Sequence, residues 1–248
     1  MKPFFVYVGL AALTLVVFAL RPDLDLAVSH VFYDHGGFLG RAAPEQLARK
    51  ILGDAWAVVL LLYAALWLMK RLGRWRGWAP TGRAMIFLLA TIAIGPGLVV
   101  NLSLKDHWHR PRPVNTQDFN GTAEFKPWYE SDGACRKNCS FVSGEASTGF
   151  WMVAPAMALP PPARGPAIVA AFVFGVATSL LRLAFGGHYL SDVLLGGLVT
   201  LIVIELARML IWPRGRNPAG PEPAAPRGGG TAAELVGAAL AARKAEGT

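Results

Sequence analysis

Three stretches of this chain place residues that bind anions or move protons close together. The first, 105–113, reads Lys-Asp-His-Trp-His-Arg-Pro-Arg-Pro and holds Lys105 and Arg112. The second, 140–147, reads Ser-Phe-Val-Ser-Gly-Glu-Ala-Ser and leads into an apolar run. The third holds Arg182, then His188 six residues on, then Asp192 four beyond that. Three fixed cations, Lys105, Arg112 and Arg182, suit a phosphate dianion, and the arginines add bidentate hydrogen bonds. Ser143-Gly144 ahead of a helical run reads as a helix start, where backbone N–H groups and the dipole attract an anion. His188 and Asp192 share a helix face at their spacing, so the carboxylate can hydrogen-bond one imidazole nitrogen. That bond fixes the tautomer and leaves the other nitrogen free to attack. Each signal has a bland reading: a chance His–Asp pair, a topology signal, an ordinary cap. Their joint occurrence on one side of the topology lifts the assignment.

The elements that must position these residues are apolar. Hydrophobic residues make up 54% and charged residues 16%, against a usual charged share of roughly 25%. Residues 4–20, 85–104 and 166–181 carry no charge, 52–69 only Asp54, and 193–212 only Glu205 and Arg208. About 20 residues of helix cross a hydrocarbon core. A sixth, shorter segment, 146–159, reaches that length if its helix begins near Ser143. The sequence therefore predicts an all-α integral membrane protein with six transmembrane helices in residues 1–212. The first segment is read as an uncleaved signal anchor, because 18–22 offers no small-residue cleavage site.

Charge placement orients the bundle. Lys70, Arg71, Arg74, Arg76 and Arg83 face no acidic residue between the second and third helices, whereas the segment 21–54 balances four basic against five acidic residues. The positive-inside rule places both termini and the 70–83 loop in the cytoplasm. The loops 21–54 and 105–142, and with them all three clusters, then face outward, so the site is expected at the outer membrane face. The formal charge of +8 is explained by this distribution, and nucleic-acid binding gains no support from it.

Within 21–54, an amphipathic stretch at 44–52 is expected to lie along the membrane surface. The loop 105–142 is rich in aromatics (Trp108, Phe119, Phe125, Trp128 and Tyr129), read as an interfacial belt, with a lid over an acyl chain as the alternative. Cys135 and Cys139 are the only cysteines. Facing outward, they read as a disulfide closing a very small ring; the alternative, half of a zinc site, lacks a second ligand pair nearby. Residues 213–230 are Pro- and Gly-rich and expected to be disordered, followed by a weak cytoplasmic helix over 231–245.

The pattern resembles the type-2 phosphatidic acid phosphatase superfamily. Lys105, Arg112 and Pro113 match its first motif, Lys, six residues, Arg-Pro. Arg182, His188 and Asp192 match its third, Arg, five residues, His, three residues, Asp. The resemblance covers roughly 84–210 and implies phosphatase chemistry without a metal or other cofactor. His188 would be the nucleophile, Asp192 its orienting partner, and Lys105, Arg112, Arg182, Ser143 and the Gly144 N–H the phosphate ligands. The second motif departs: the family reads Pro-Ser-Gly-His, and this chain reads Val142-Ser143-Gly144-Glu145. Three roles stay open for Glu145. It can be the general acid that the missing histidine would have been. It can be non-catalytic, with another residue such as His107 or His109 protonating the leaving group, or with a leaving group that needs little help. The chain can also be an impaired relative that binds or translocates lipid. The expected partners are the bilayer and a phosphorylated envelope lipid of the bacterial inner membrane, cleaved on its periplasmic side. The candidates are lipid A, undecaprenyl pyrophosphate, phosphatidylglycerol phosphate and phosphatidate.

Overall fold

The computed structural model describes residues 2–105 and 107–212; the tail, with the helix expected over 231–245, lies outside the described residues. The described chain is mostly helical, with one two-stranded hairpin and a long irregular loop over 105–142. Five helical stretches are long and apolar enough to cross a membrane: Lys2–Leu20, Pro44–Arg71, Gly82–Leu104, Pro161–Ala184 and Leu190–Ile211.

Helix α1 (Lys2–Leu20) is apolar throughout and stops at Arg21-Pro22, where proline removes an N–H donor and blocks the preceding turn. It packs along the last helix. Helix α2 (Asp23–Val31) follows at once and buries Asp25 and Ser29. A tight hairpin joins β1 (Tyr33–Asp34) to β2 (Gly37–Phe38).

Helix α3 (Ala43–Arg71) is continuous over 29 residues, about 43 Å at ~1.5 Å per residue, well beyond a hydrocarbon core of about 30 Å. The amphipathic stretch 44–52 is continuous with the apolar span that follows and forms the first third of α3. Gly53 alone does not break it, since a single glycine weakens a helix by only about 1 kcal/mol. Helix α4 (Gly82–Ile92) starts on Thr81, whose Oγ1 accepts from the Ala84 N–H at 3.1 Å. It continues through Ala93–Leu104 as a wider π-helix that delivers Lys105 to the end of the bundle.

The expected sixth span is built differently from the other five. It forms two short helices, α5 (Gly144–Trp151) and α6 (Val153–Ala158), of 8 and 6 residues. Both pack inside the bundle: Trp151, Ala154 and Ala158 are buried, Trp151 Nε1 donates to Thr91 Oγ1 at 2.9 Å, and the Tyr63 hydroxyl donates to the Pro155 carbonyl at 2.8 Å. A segment walled by protein on every side needs no lipid-length apolar run, which is why it reads as thin. Helices α7 (Pro161–Ala184) and α8 (Leu190–Ile211) complete the bundle around it.

The aromatics of 105–142 do not form a belt. Trp108 stacks on Phe141 at 4.7 Å, Phe119 meets Tyr33 and Phe38 of the hairpin, and Phe125 meets Tyr189 edge-on. Trp128 donates to the Leu15 carbonyl of α1 at 3.1 Å. They form a small core that clamps the loop onto one end of the bundle, and only Tyr129 remains exposed.

Candidate active site

His188 sits in the short turn between α7 and α8. The α7 end closes with Gly186 N–H to the Leu183 carbonyl at 2.9 Å and Gly187 N–H to the Arg182 carbonyl at 3.1 Å. Gly186 has a φ of 61° and packs directly on the Phe38 ring, so both its backbone conformation and its missing side chain are required there. The turn folds His188 back over the last turn of α7, where Arg182 points inward. Both side chains are buried.

Nδ1 of His188 lies 2.6 Å from the Ser140 carbonyl. Facing an acceptor, Nδ1 carries the proton and Nε2 keeps its lone pair. Burial above all, with the positive charges of Arg182 and Arg112, pushes the imidazole down to about 3. This environment favours the neutral ring, with the Nε2 lone pair uncommitted. An unfolded histidine titrates near about 6.5, so unfolding takes up a proton between about pH 6.5 and 3. Stability on this account is full above pH 6.5 and declines as the pH falls toward 3. The thermal unfolding midpoint in detergent should drop over that window, and drop less in His188→Ala.

Asp192 is placed differently from the sequence expectation. Its Oδ2 is 3.9 Å from His188 Nδ1, beyond hydrogen-bond reach. Oδ2 instead accepts from the Ser140 hydroxyl at 2.5 Å and the Tyr189 N–H at 2.9 Å, and Oδ1 accepts from Arg110 Nη1 at 2.7 Å. The shared helix face expected from the i, i+4 spacing does not form, because His188 lies in the turn before α8 and only Asp192 is on the helix; Ser140 of the loop 105–142 contacts both side chains.

The residues expected to bind phosphate lie on the loop 105–142, at the start of α5 and at the end of α7. Ser143 caps α5, its Oγ accepting from the Ala146 N–H at 3.3 Å, which leaves its own O–H to donate. A Cβ on Gly144 would stand 2.9 Å from Asn101 Oδ1 and 3.4 Å from Lys105 Nζ. Lys105 thus reaches the start of α5, where Asn101 packs so closely that a side chain on residue 144 would collide with it. Arg112 is splayed by Asn138, whose carbonyl and side-chain oxygen each accept from Nη2 at 2.8 Å. Asn138 lies inside the ring closed by the Cys135–Cys139 disulfide, so the expected bridge shapes the seat of a phosphate ligand. Arg182 Nε is buried without a hydrogen-bond partner among the described residues, with Glu145 Oε2 at 3.5 Å.

Glu145 does stand at this cradle, and it brings a residue that the sequence did not announce. Arg49 of α3 grips it, with Nη2 to Oε1 at 2.7 Å and Nε to Oε1 at 3.1 Å. A carboxylate held by one arginine and approached by a second is stabilised in its charged form. His107 and His109 point elsewhere: His107 is exposed against the Ser103 carbonyl, and His109 Nδ1 meets the Cys135 carbonyl at 2.8 Å. Arg110, Asp25 and Ser191 were also missed as site residues; all are buried behind His188. Arg110 lies inside the first cluster, and Asp25 is an ionisable residue next to a span, a signal in itself.

The structure thus places a buried histidine beside two arginines at one end of an apolar helical bundle. The sequence matches the PAP2 superfamily over residues 83–216. A lipid A 4'-phosphatase of Francisella tularensis subsp. novicida is 36% identical over 209 residues, covering 79% of this chain and 90% of that protein. A lipid A 4'-phosphatase of Rhizobium leguminosarum is 44% identical over 115 residues, covering 46% of this chain and 49% of the relative. A protein of that name from Rhizobium etli is 44% identical over 115 residues, covering 46% and 45%. No solved structure matches. The chain belongs to the PAP2 superfamily, and it is a lipid phosphatase.

Proposed function

We propose that this chain removes a phosphate from lipid A, at the periplasmic face of a bacterial inner membrane, through a phospho-histidine intermediate. The observation that carries the mechanism is His188 itself: Nδ1 committed to the Ser140 carbonyl, Nε2 free, and the imidazole held neutral beside Arg182 and Arg112. The names of the relatives support lipid A over undecaprenyl pyrophosphate, phosphatidylglycerol phosphate and phosphatidate.

The lipid phosphate takes the Arg182 Nε–H, which lacks a hydrogen-bond partner among the described residues, together with Arg112, Lys105, the Ser143 hydroxyl and the first N–H groups of α5. Nε2 of His188 attacks phosphorus; a P–N bond forms as the P–O bond to the lipid breaks. The departing oxygen takes a proton, which Glu145 supplies. Water then attacks phosphorus while the Glu145 carboxylate takes a proton from it; the P–N bond breaks, and inorganic phosphate leaves with His188 and protonated Glu145 restored. The charge of the cradle comes from side chains and helix N–H groups, which stabilise a phosphoryl transition state by position and electrostatics.

Glu145 reaches its acid role through the substrate. With the site free, Arg49 and Arg182 favour the carboxylate. An incoming dianion draws Arg182 to itself and adds a negative charge nearby, and both effects favour the protonated form.

The test is phosphate release by purified protein in detergent from the four lipids, with and without EDTA. Release from lipid A above the other three, undiminished by EDTA, is the expected result. Release only from a glycerophospholipid would overturn the substrate assignment, and loss of activity in EDTA would overturn the metal-independent mechanism.

A further inference from the structure

Behind His188 lies a polar cluster that no phosphate ligand explains. Asp25 Oδ2 accepts from Arg110 Nη2 at 2.7 Å and from the Ser191 hydroxyl at 2.6 Å, and Oδ1 accepts from the Ser191 N–H at 2.9 Å. Arg110 Nη1 donates to Asp192 Oδ1 at 2.7 Å and to Ser191 Oγ at 2.9 Å. Its Nε donates to the Lys126 carbonyl at 2.8 Å, and its guanidinium lies 4.2 Å from the Tyr189 ring centroid. Asp25, Arg110, Ser140, Ser191 and Asp192 are all at most 1% exposed.

We propose that Asp25 and Arg110 are positioning residues of the nucleophile, fixing Asp192 and, through it, the Ser140 residue whose carbonyl holds the His188 ring. The proposal rests on His188 being the nucleophile. Both Asp192 oxygens are taken, one by Arg110 and the other by Ser140 and the Tyr189 N–H. These bonds fix the Asp192 carboxylate with Oδ2 3.9 Å from Nδ1. The group that fixes the tautomer is therefore the Ser140 carbonyl, and the Ser140 hydroxyl is tied to Asp192. The line of force runs from Asp25 to Arg110, Asp192, Ser140 and the imidazole.

Stability alone does not account for the cluster. An arginine buried between two carboxylates is a weak stabiliser, because desolvation cancels most of the attraction and apolar replacements are often as stable. What the arrangement does supply is fixed geometry at the reacting nitrogen. Asp25 also lies outside residues 83–216, the part matching the superfamily. Through it, α2 and the first loop become part of the catalytic apparatus.

The experiment measures kcat, KM and the unfolding midpoint of the full chain in detergent with lipid A as substrate. The variants are Asp25→Asn, Arg110→Lys, Ser191→Ala and His188→Ala, with Thr91→Val as a buried control that loses the Trp151 bond. Asp25→Asn and Arg110→Lys should lower kcat by roughly 10–100-fold, the scale seen when a partner that orients a reacting group is removed. KM should change less than about threefold, since the cradle is untouched. Thr91→Val should keep kcat while losing unfolding temperature. Wild-type kcat in a folded Asp25→Asn or Arg110→Lys overturns the proposal, as does a kcat loss no larger than the control's at an equal fall in midpoint. Should neither variant fold, Ser191→Ala, which removes no charge, is held to the same criterion. An active His188→Ala would remove the nucleophile and this proposal with it. An inactive His188→Ala beside a fully active Asp25→Asn would remove the positioning role alone.

Discussion

His188→Ala is expected to lower phosphate release by about 10⁴-fold or more, the scale of loss when a covalent nucleophile is deleted. The imidazole is buried, neutral and aimed, its Nδ1 proton held by the Ser140 carbonyl. The variant removes that nucleophile and leaves every cation of the cradle in place. Substrate binding should therefore persist while turnover disappears, so KM moves little against a collapse in kcat. A second readout is direct. Quenching wild type in alkali after a brief exposure to radiolabelled substrate should trap phosphate on the protein, and acid should release it, because a phosphoramidate bond is stable to base and labile to acid. His188→Ala should trap none. Turnover within tenfold of wild type would assign the attack to water instead.

The third motif was legible because its members lie close in sequence, on the turn and helix that hold them. Arg182, His188 and Asp192 are all brought to the site, and the apolar runs locate five of the spans. What could not be read was the order of contacts within the cluster. The Asp192 carboxylate faces Arg110 and Ser140 because the loop 105–142 folds over the end of the bundle, and that fold depends on aromatic packing between distant segments. Nothing local to Arg110 says that it turns inward while Arg112, two residues on, faces Asn138 at the cradle. Asp25 meets Ser191 across 166 positions, a pairing that only tertiary structure reveals. Arg49 was hidden for a different reason. On an amphipathic stretch beside a membrane a cation reads as a surface charge, and α3 instead carries it over Phe185 to Glu145. The buried pair α5–α6 misled by length, because a helix surrounded by protein is free of the bilayer's length requirement.

Glu145→Gln is expected to lower turnover of a phosphomonoester by about 10²–10⁴-fold, the usual worth of a general acid, while inorganic phosphate still binds. Glutamine keeps the shape and can still accept from Arg49, but it cannot give a proton to the departing oxygen. Removing the carboxylate also removes the anion nearest Arg182, so phosphate should bind at least as tightly as in wild type. That pairing of lost turnover with preserved or improved binding separates an acid from a structural residue, whose loss would weaken both. Arg49→Ala supplies the complementary test. Arg49 stabilises the charged carboxylate through a bidentate grip, so its removal favours the protonated acid. The alkaline limb of the kcat/KM profile, which reports the free enzyme's acid, should then move to higher pH in Arg49→Ala and vanish in Glu145→Gln. A leaving group that needs no proton relaxes the requirement, so a substrate with a nitrophenolate leaving group should restore most of the activity lost in Glu145→Gln. An equal defect on both substrates would show that Glu145 holds the cradle in shape, with Arg49 as its anchor, and that the proton comes from elsewhere.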